Sequence, residues 1–400
     1  MINSGDTAFV LLSAALVALM TPGLAFFYGG LVKRKHVLTI MMQSFIAMGL
    51  ISFFWLLFSF SLAFGGDVGS VIGNFDYALL RNVGMEPVEG FGDIPFYAFF
   101  AFQMMFAIIA PALMTGAFVD RMRFKAYLIF LVLWSILVYA PIAHWVWGGG
   151  FMSDWGALDF AGGLVIHISA GFGALASIFV LGKRRHSNHE FHNLPYVALG
   201  TALLWFGWFG FNSGSALGAN AQAALAFVNT DIAASAAMVG WLFLSWFHSG
   251  KPSMVGALTG AIAGLVAVTP AAGFVEPWSA LIIGLVASIV CYYAVQFRIR
   301  TKWDDALDVW AVHGMGGVVG AILTGVFAVE RLGGTSGLIE GSGAAFLANF
   351  YSTIVAGSFA FIMTYLILKF IGLFMNLKIS VYELEQGLDK AMHGEDAYDF

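Results

Sequence analysis

Apolar stretches near twenty residues long recur from one end of the chain to the other, separated by polar connectors, and they largely exclude charge. A helix of that length crosses the ~30 Å hydrocarbon core of a bilayer. Eleven spans are predicted, at roughly 7–32, 37–64, 95–119, 125–147, 159–181, 194–217, 231–249, 253–271, 277–297, 306–328 and 343–372. The expected fold class is all-α and integral to a membrane. The connectors alternate in charge. Lys33, Arg34 and Lys35 follow the first span, Arg121, Arg123 and Lys125 the third, and Lys183, Arg184 and Arg185 the fifth. Lys251 follows the seventh, and Arg298, Arg300 and Lys302 the ninth, while the opposite connectors carry only Arg81 and Arg331. Positive connectors stay on the cytosolic side. The N-terminus is therefore expected outside and the tail from about Leu373 in the cytosol, which an odd number of spans requires.

Composition agrees with this pattern. Hydrophobic residues make up 60% of the 400 and charged residues 10%, too little polarity to cover a soluble domain. The 48 glycines suit close packing of membrane helices. A net charge of -5 gives no reason to expect nucleic acid. Cys291 is the single cysteine, so an internal disulfide is impossible. No Lys or Arg precedes Lys33, and the first apolar run is too long for a signal peptide, so it reads as a retained span. That reading fits the plasma membrane of a bacterium or archaeon.

Two spans share an internal pattern. The fifth contains DFAGGLVIHISAG, with Asp159 and His167 eight apart; the tenth contains DALDVWAVHGMGG, with Asp305 and His313 eight apart. The copies lie five spans from each other, an odd number, so the second is expected to be inverted relative to the first. Inverted repeats are common among transporters, with the working site near the midplane. The expected organisation is one membrane domain, residues 1–372, and a cytosolic tail, 373–400. The domain comprises repeats at about 7–181 and 194–328 and an eleventh helix, 343–372. The tail is acidic, with Glu383, Glu385, Asp389, Glu395, Asp396 and Asp399.

Eight helical residues rise about 12 Å, so an Asp159 near the outer end of its helix would set His167 deep in the bilayer. His313 would lie equally deep, approached from the other side. Ionisable residues inside a membrane face a cavity or each other. An apolar setting favours the uncharged imidazole, which has one donor and one acceptor. Two such rings can share a hydrogen bond and still serve a small polar guest or a proton; the bland alternative is a pair satisfying backbone groups. Asp159 reads either as a helix cap or as a proton handler, and Asp305 likewise. Asp308 is a candidate for the inner mouth. Trp147 in AHWVWGGG, with Trp208, Phe211 and Ser215 in WFGWFGFNSGS, offers ring faces and a hydroxyl to a monovalent cation, although periodicity alone favours an interfacial aromatic belt. His186, His189 and His192 are spaced like metal ligands, but they sit in a basic connector before Pro195 and are not taken as a metal site. No catalytic motif is present, so no enzyme or cofactor is expected.

These stretches, with PGLAFFYGGLVKRK near the start, GAIAGLVAVTPAAG, and GLDKAMHGEDAY near the end, resemble the ammonium transporter family (Amt/Mep, relatives of the Rh proteins) over almost the whole chain. The resemblance implies an eleven-span protomer with a 5+5 inverted repeat, a homotrimer, and one pore per protomer. Trp147 and Ser215 match the family's external ammonium recruitment site, and their joint presence resembles the Amt branch. Phe106, in AFQMMF, matches its aromatic wall and the outer of two stacked gate phenylalanines; Phe211 matches the inner one. His167 and His313 match twin pore histidines, Trp208 a pore-lining tryptophan, and Asp159 a structural or electrostatic carboxylate. The implied function is ammonium uptake, with ammonium deprotonated and neutral ammonia passed along the histidines, and with net electrogenic flux. Lipid surrounds the protomer, and a PII-type signalling protein is the implied cytosolic partner. The alternatives are an ammonium sensor with little transport, which a fused signalling domain would favour, and a passive ammonia channel.

Overall fold

The structure, a computed structural model, describes residues 1–185, 191–301 and 303–398. It is built almost wholly of helices: α1 (Ser4–Leu31), α2 (Arg34–Phe64), α3 (Phe96–Phe118), α4 (Phe124–Asp154), α5 (Gly163–Leu181), α6 (Leu194–Gly214), α7 (Ala221–Ser249), α8 (Met254–Val268), α9 (Pro277–Arg300), α10 (Trp310–Phe327) and α11 (Ala344–Phe374). Among the described residues, ten of these are long and apolar enough to cross a membrane. The exception is α8. Its 15 residues rise only about 22 Å, short of the predicted 253–271. Pro270 cannot donate the next helical bond, and the chain turns instead, buried, through Ala271, Ala272 and Val275.

Other boundaries also move. The seventh span, expected from 231, begins ten residues earlier at Ala221, where the Asn220 side chain accepts from Ala223 N (2.9 Å). Its polar residues do not end the helix, because they are satisfied inside. Asn229 Nδ2 donates to the carbonyls of Ala272 (2.9 Å) and Val275 (2.8 Å), and Thr230 Oγ1 donates to Ala226 O (2.6 Å). The fifth and tenth spans start later than expected. Gly162 has φ 121°, a conformation only glycine adopts readily, so Asp159 stands off the helix and the assumed rise from Asp159 to His167 is not helical. Asp308, at φ 57°, breaks the tenth in the same way.

Glycine decides how the helices meet. A Cβ on Gly171 of α5 would lie 2.2 Å from the backbone of Gly314 in α10, and one on Gly200 of α6 would lie 2.2 Å from Phe27 N in α1. Both crossings exist only because neither position has a side chain. On the face of the N-terminus, the connector after α2 forms a short hairpin, β1 (Asp67–Val68) with β2 (Ile72–Gly73). On the opposite face the tail does not extend into solvent. Arg123 N donates to Leu377 O (2.9 Å) and Ile379 N to Arg121 O (2.9 Å), followed by a short helix α12 (Val381–Gln386) with a capping box between Ser380 and Glu383. Asp389 is buried: its carboxylate accepts from Leu38 N (3.1 Å), Thr39 N (2.8 Å) and Thr39 Oγ1 (2.9 Å) and so caps the start of α2.

Candidate functional site

Three cavities follow one another between the faces. The first, of about 280 Å³, opens near the N-terminal face and is lined by Phe106, Trp147 and Ser215 together with Gln103. Trp147 ends the continuous part of α4. Its indole Nε1 donates to Asp159 O (2.8 Å), which holds the ring plane in place. Ser215 Oγ donates to Phe211 O (3.0 Å), so the lone pairs of the hydroxyl are left for a donor in the cavity. Aromatic faces and a hydroxyl acceptor in one pocket suit a small cation that is itself a hydrogen-bond donor. Gln103 was missed in the sequence. Its Oε1 is buried beside this cavity without a partner among the described residues. The available signal was one polar residue inside AFQMMF.

Two rings close the floor. Phe106 and Phe211 have centroids 4.4 Å apart and planes inclined by 56°, so they meet tilted instead of stacked as expected. Below them lies a cavity of about 20 Å³, room for roughly one water-sized molecule. Its lining is apolar except for Tyr28, whose hydroxyl is spent on Leu113 O (2.9 Å), Trp208, and the two histidines. Trp208 Nε1 is spent on Thr269 Oγ1 (2.9 Å).

His167 and His313 meet here, from α5 and α10, with Nδ1 atoms 3.3 Å apart and rings nearly parallel at 29°. One Nδ1 must donate and the other accept. His167 Nε2 is buried beside the cavity without a partner among the described residues. Each histidine lies in a π-helical turn, Gly163–Ile168 and Trp310–Gly314. Such a turn widens the helix by one residue and re-aims the side chains it carries. Asp159 starts the first turn. Its carboxylate accepts from the N–H groups of Gly162 (2.8 Å), Gly163 (2.6 Å), Leu164 (2.7 Å) and Val165 (3.1 Å), which is the cap geometry. Asp305 caps the second through Trp310 N (2.7 Å), and its other oxygen has no hydrogen-bond partner among the described residues.

His313, Tyr28 and Asp308 line the third cavity, of about 110 Å³, toward the tail face. Asp308 Oδ1 accepts from Arg298 Nε (2.8 Å). Beside it, Asp304 takes Arg184 through both of its oxygens at 2.6–3.0 Å. Burial works against the Asp304 charge, but the Arg184 bonds outweigh it and hold the carboxyl below its ordinary value. Of the histidine triplet in the connector, His186 and His189 lie outside the described residues; His192 Nε2 bonds Tyr398 Oη (3.0 Å).

The description "Ammonium Transporter Family" matches residues 8–398. The chain is 48% identical over 399 residues to an ammonium transporter of Bacillus subtilis, covering 98% of each. Its structure is similar to a crystal structure of Candida albicans Mep2 (TM-score 0.92, 32% identity, 99% of this chain and 93% of that one). It is also similar to a structure titled Sensor Amt Protein (TM-score 0.90, 29% identity, 97% and 98%).

Proposed function

The chain belongs to the ammonium transporter family, and from that premise we propose that it carries ammonium across the plasma membrane by passing neutral ammonia through the histidine pair. The observation that carries this reading is the order of the site: a cation-suited cavity, two closed rings, then one narrow apolar space with His167 and His313 as its open polar groups. Ammonium is held by the faces of Trp147 and Phe106 and donates to Ser215. Crossing the rings as an ion costs several kcal/mol of lost solvation. Potassium cannot avoid that cost; ammonium avoids it by losing its proton. Ammonia then donates to and accepts from the imidazoles, which hold each other at 3.3 Å. The proton follows separately, so that transport is electrogenic. Asp159 serves this path as a cap and as the carbonyl that fixes Trp147.

The same proposal takes α1 to α11 as eleven spans with the N-terminus outside, and α1–α5 and α6–α10 as inverted repeats. The matching Asp caps, π-turns and histidines support the repeat, and the basic connectors on the tail side support the orientation. A homotrimer in lipid and a PII-type partner at the tail face complete the reading. A second reading, an ammonium sensor with little transport, rests on the similarity to Sensor Amt Protein.

The test is ammonium-evoked current in liposomes, for wild type and for His167→Ala and His313→Ala. A saturable current with none from potassium supports the proposal, and potassium current in the variants assigns selectivity to the pair. A pH change without current makes the protein a passive ammonia channel. Ammonium binding with neither signal favours the sensor.

A further inference from the structure

His144 lies one helical turn before Trp147, fully buried on α4, and belongs to none of the three cavities. Both of its ring nitrogens face acceptors. Nδ1 is 3.0 Å from Ala63 O, in the last turn of α2, where carbonyls lack helical partners. Nε2 is 2.9 Å from Asp67 Oδ1 on the hairpin. A carbonyl and a carboxylate can only accept, so the ring supplies a hydrogen to each, and an imidazole with both hydrogens is the cation. A cation at the C-terminal end of α2 also opposes the negative end of that helix.

The surroundings are built around these bonds. The glycine after Trp147 is required by them: a Cβ on Gly148 would lie 2.1 Å from Ala63 O and 2.6 Å from His144 Nδ1. The carbonyl of His144 accepts from Gly148 N and Gly150 N, both at 3.0 Å, and so closes the turn that ends at Trp147. Two further bonds tie the same turn to the hairpin, Trp145 Nε1 to Val71 O (2.7 Å) and Phe151 N to Ser70 O (3.1 Å).

We propose that His144 is a positioning residue of the recruitment cavity: a doubly donating imidazolium that clasps the end of α2 and the hairpin, and through Gly148 sets where Trp147 presents its ring. This rests on reading that cavity as the ammonium site. Asp67 is the titratable group that faces the ring, and the His144 bond, followed by the Ser70 N–H, holds its carboxyl below the ordinary range. Asp76 on the same connector is turned to Asn74 Nδ2 (2.7 Å), and Asp159 has both oxygens on backbone N–H groups. Asp154, on the far side of the glycines, is exposed. The last turn of α2 carries no charge, and α11, which meets Trp145 through Phe359, carries Lys369 toward its other end.

The experiment measures the half-saturating ammonium concentration of flux into liposomes at one fixed outside pH. The proteins are wild type, His144→Gln, Asp67→Asn and Asp67→Glu. His144→Gln raises that concentration roughly three- to tenfold with maximal flux retained, because one charge-assisted bond is lost behind the cation pocket, between α4 and the hairpin, and nothing at the gate or the histidines. Asp67→Asn removes the counter-charge. Its half-saturating value rises above that of wild type, because the bond between the ring and the hairpin loses its charge. Asp67→Glu restores the wild-type value. If His144→Gln does not fold, the partly exposed Asp67 still decides. A wild-type value in Asp67→Asn overturns the clasp while leaving transport intact, whereas a wild type that moves no ammonium overturns the transport reading instead.

Discussion

Replacing Gly171 by alanine adds one methyl group where α5 crosses α10. Its carbon would stand 2.2 Å from both N and Cα of Gly314, whereas ordinary contact begins at 3.4 Å. Both obstructing atoms are backbone, so no side chain can turn away. The two helices must part by about 1.2 Å, or one must rotate. Gly314 follows His313 directly, and Gly171 lies one turn after His167, so the movement passes straight to the pair. Nδ1 atoms now 3.3 Å apart would move beyond hydrogen-bond range. Overpacking of this kind costs about 1–3 kcal/mol in a well-packed interior. The assay has two parts: thermal unfolding in detergent and ammonium-evoked current in liposomes. The expected result is a lower unfolding midpoint together with loss of most of the current. Gly357→Ala is the control, since its Cβ would meet nothing nearer than 3.4 Å, and it should change neither. A Gly171→Ala protein with wild-type midpoint and current would refute the argument that this crossing sets the histidine pair.

Asp159→Asn keeps the shape of the cap but turns an NH2 toward two of the four N–H donors; leaving those two buried and unpaired costs about 2–6 kcal/mol, read as a fall in thermal midpoint and a raised half-saturation through Trp147. Asp120, buried on the tail face, bonds His36 Nδ1; burial pushes its carboxyl up, but the His36 bond and charge, then Lys33 and Arg184, hold it below its ordinary 3.8. A depressed carboxyl stabilises fully above its unfolded value and loses that contribution as pH falls through the folded one, so wild type should lose midpoint below about pH 4 relative to Asp120→Asn; parallel curves for the two would contradict it. Asp389→Ala removes the cap that the tail places on α2 and should cost about 1–2 kcal/mol, with faster proteolysis of the tail; an unchanged cleavage rate would count against the docked arrangement.

Much of this protein was decided locally. Runs of apolar residues determined where helices form, because a backbone in hydrocarbon must satisfy its own polar groups. The Asp-to-His spacing marked the two important turns, and a histidine in an apolar run announced itself by its cost. The aromatic and hydroxyl residues of the outer cavity were legible as types. Where a polar residue sits against its partner was not. The seventh span was expected only from 231, because nothing in the linear order reveals that Asn229 reaches the carbonyls of Ala272 and Val275. Gln103 and His144 lie in apolar spans with no repeat to mark them, and their meaning lies in what faces them. The rise from Asp159 to His167 was misjudged because Gly162 turns the chain before the helix begins. Above all, residue types specify that two histidines exist, but the contact of Gly171 with Gly314 specifies that they meet. Those glycines are far apart in the chain, and only the packing of two helices at a bare backbone crossing brings them, and the imidazoles beside them, within reach.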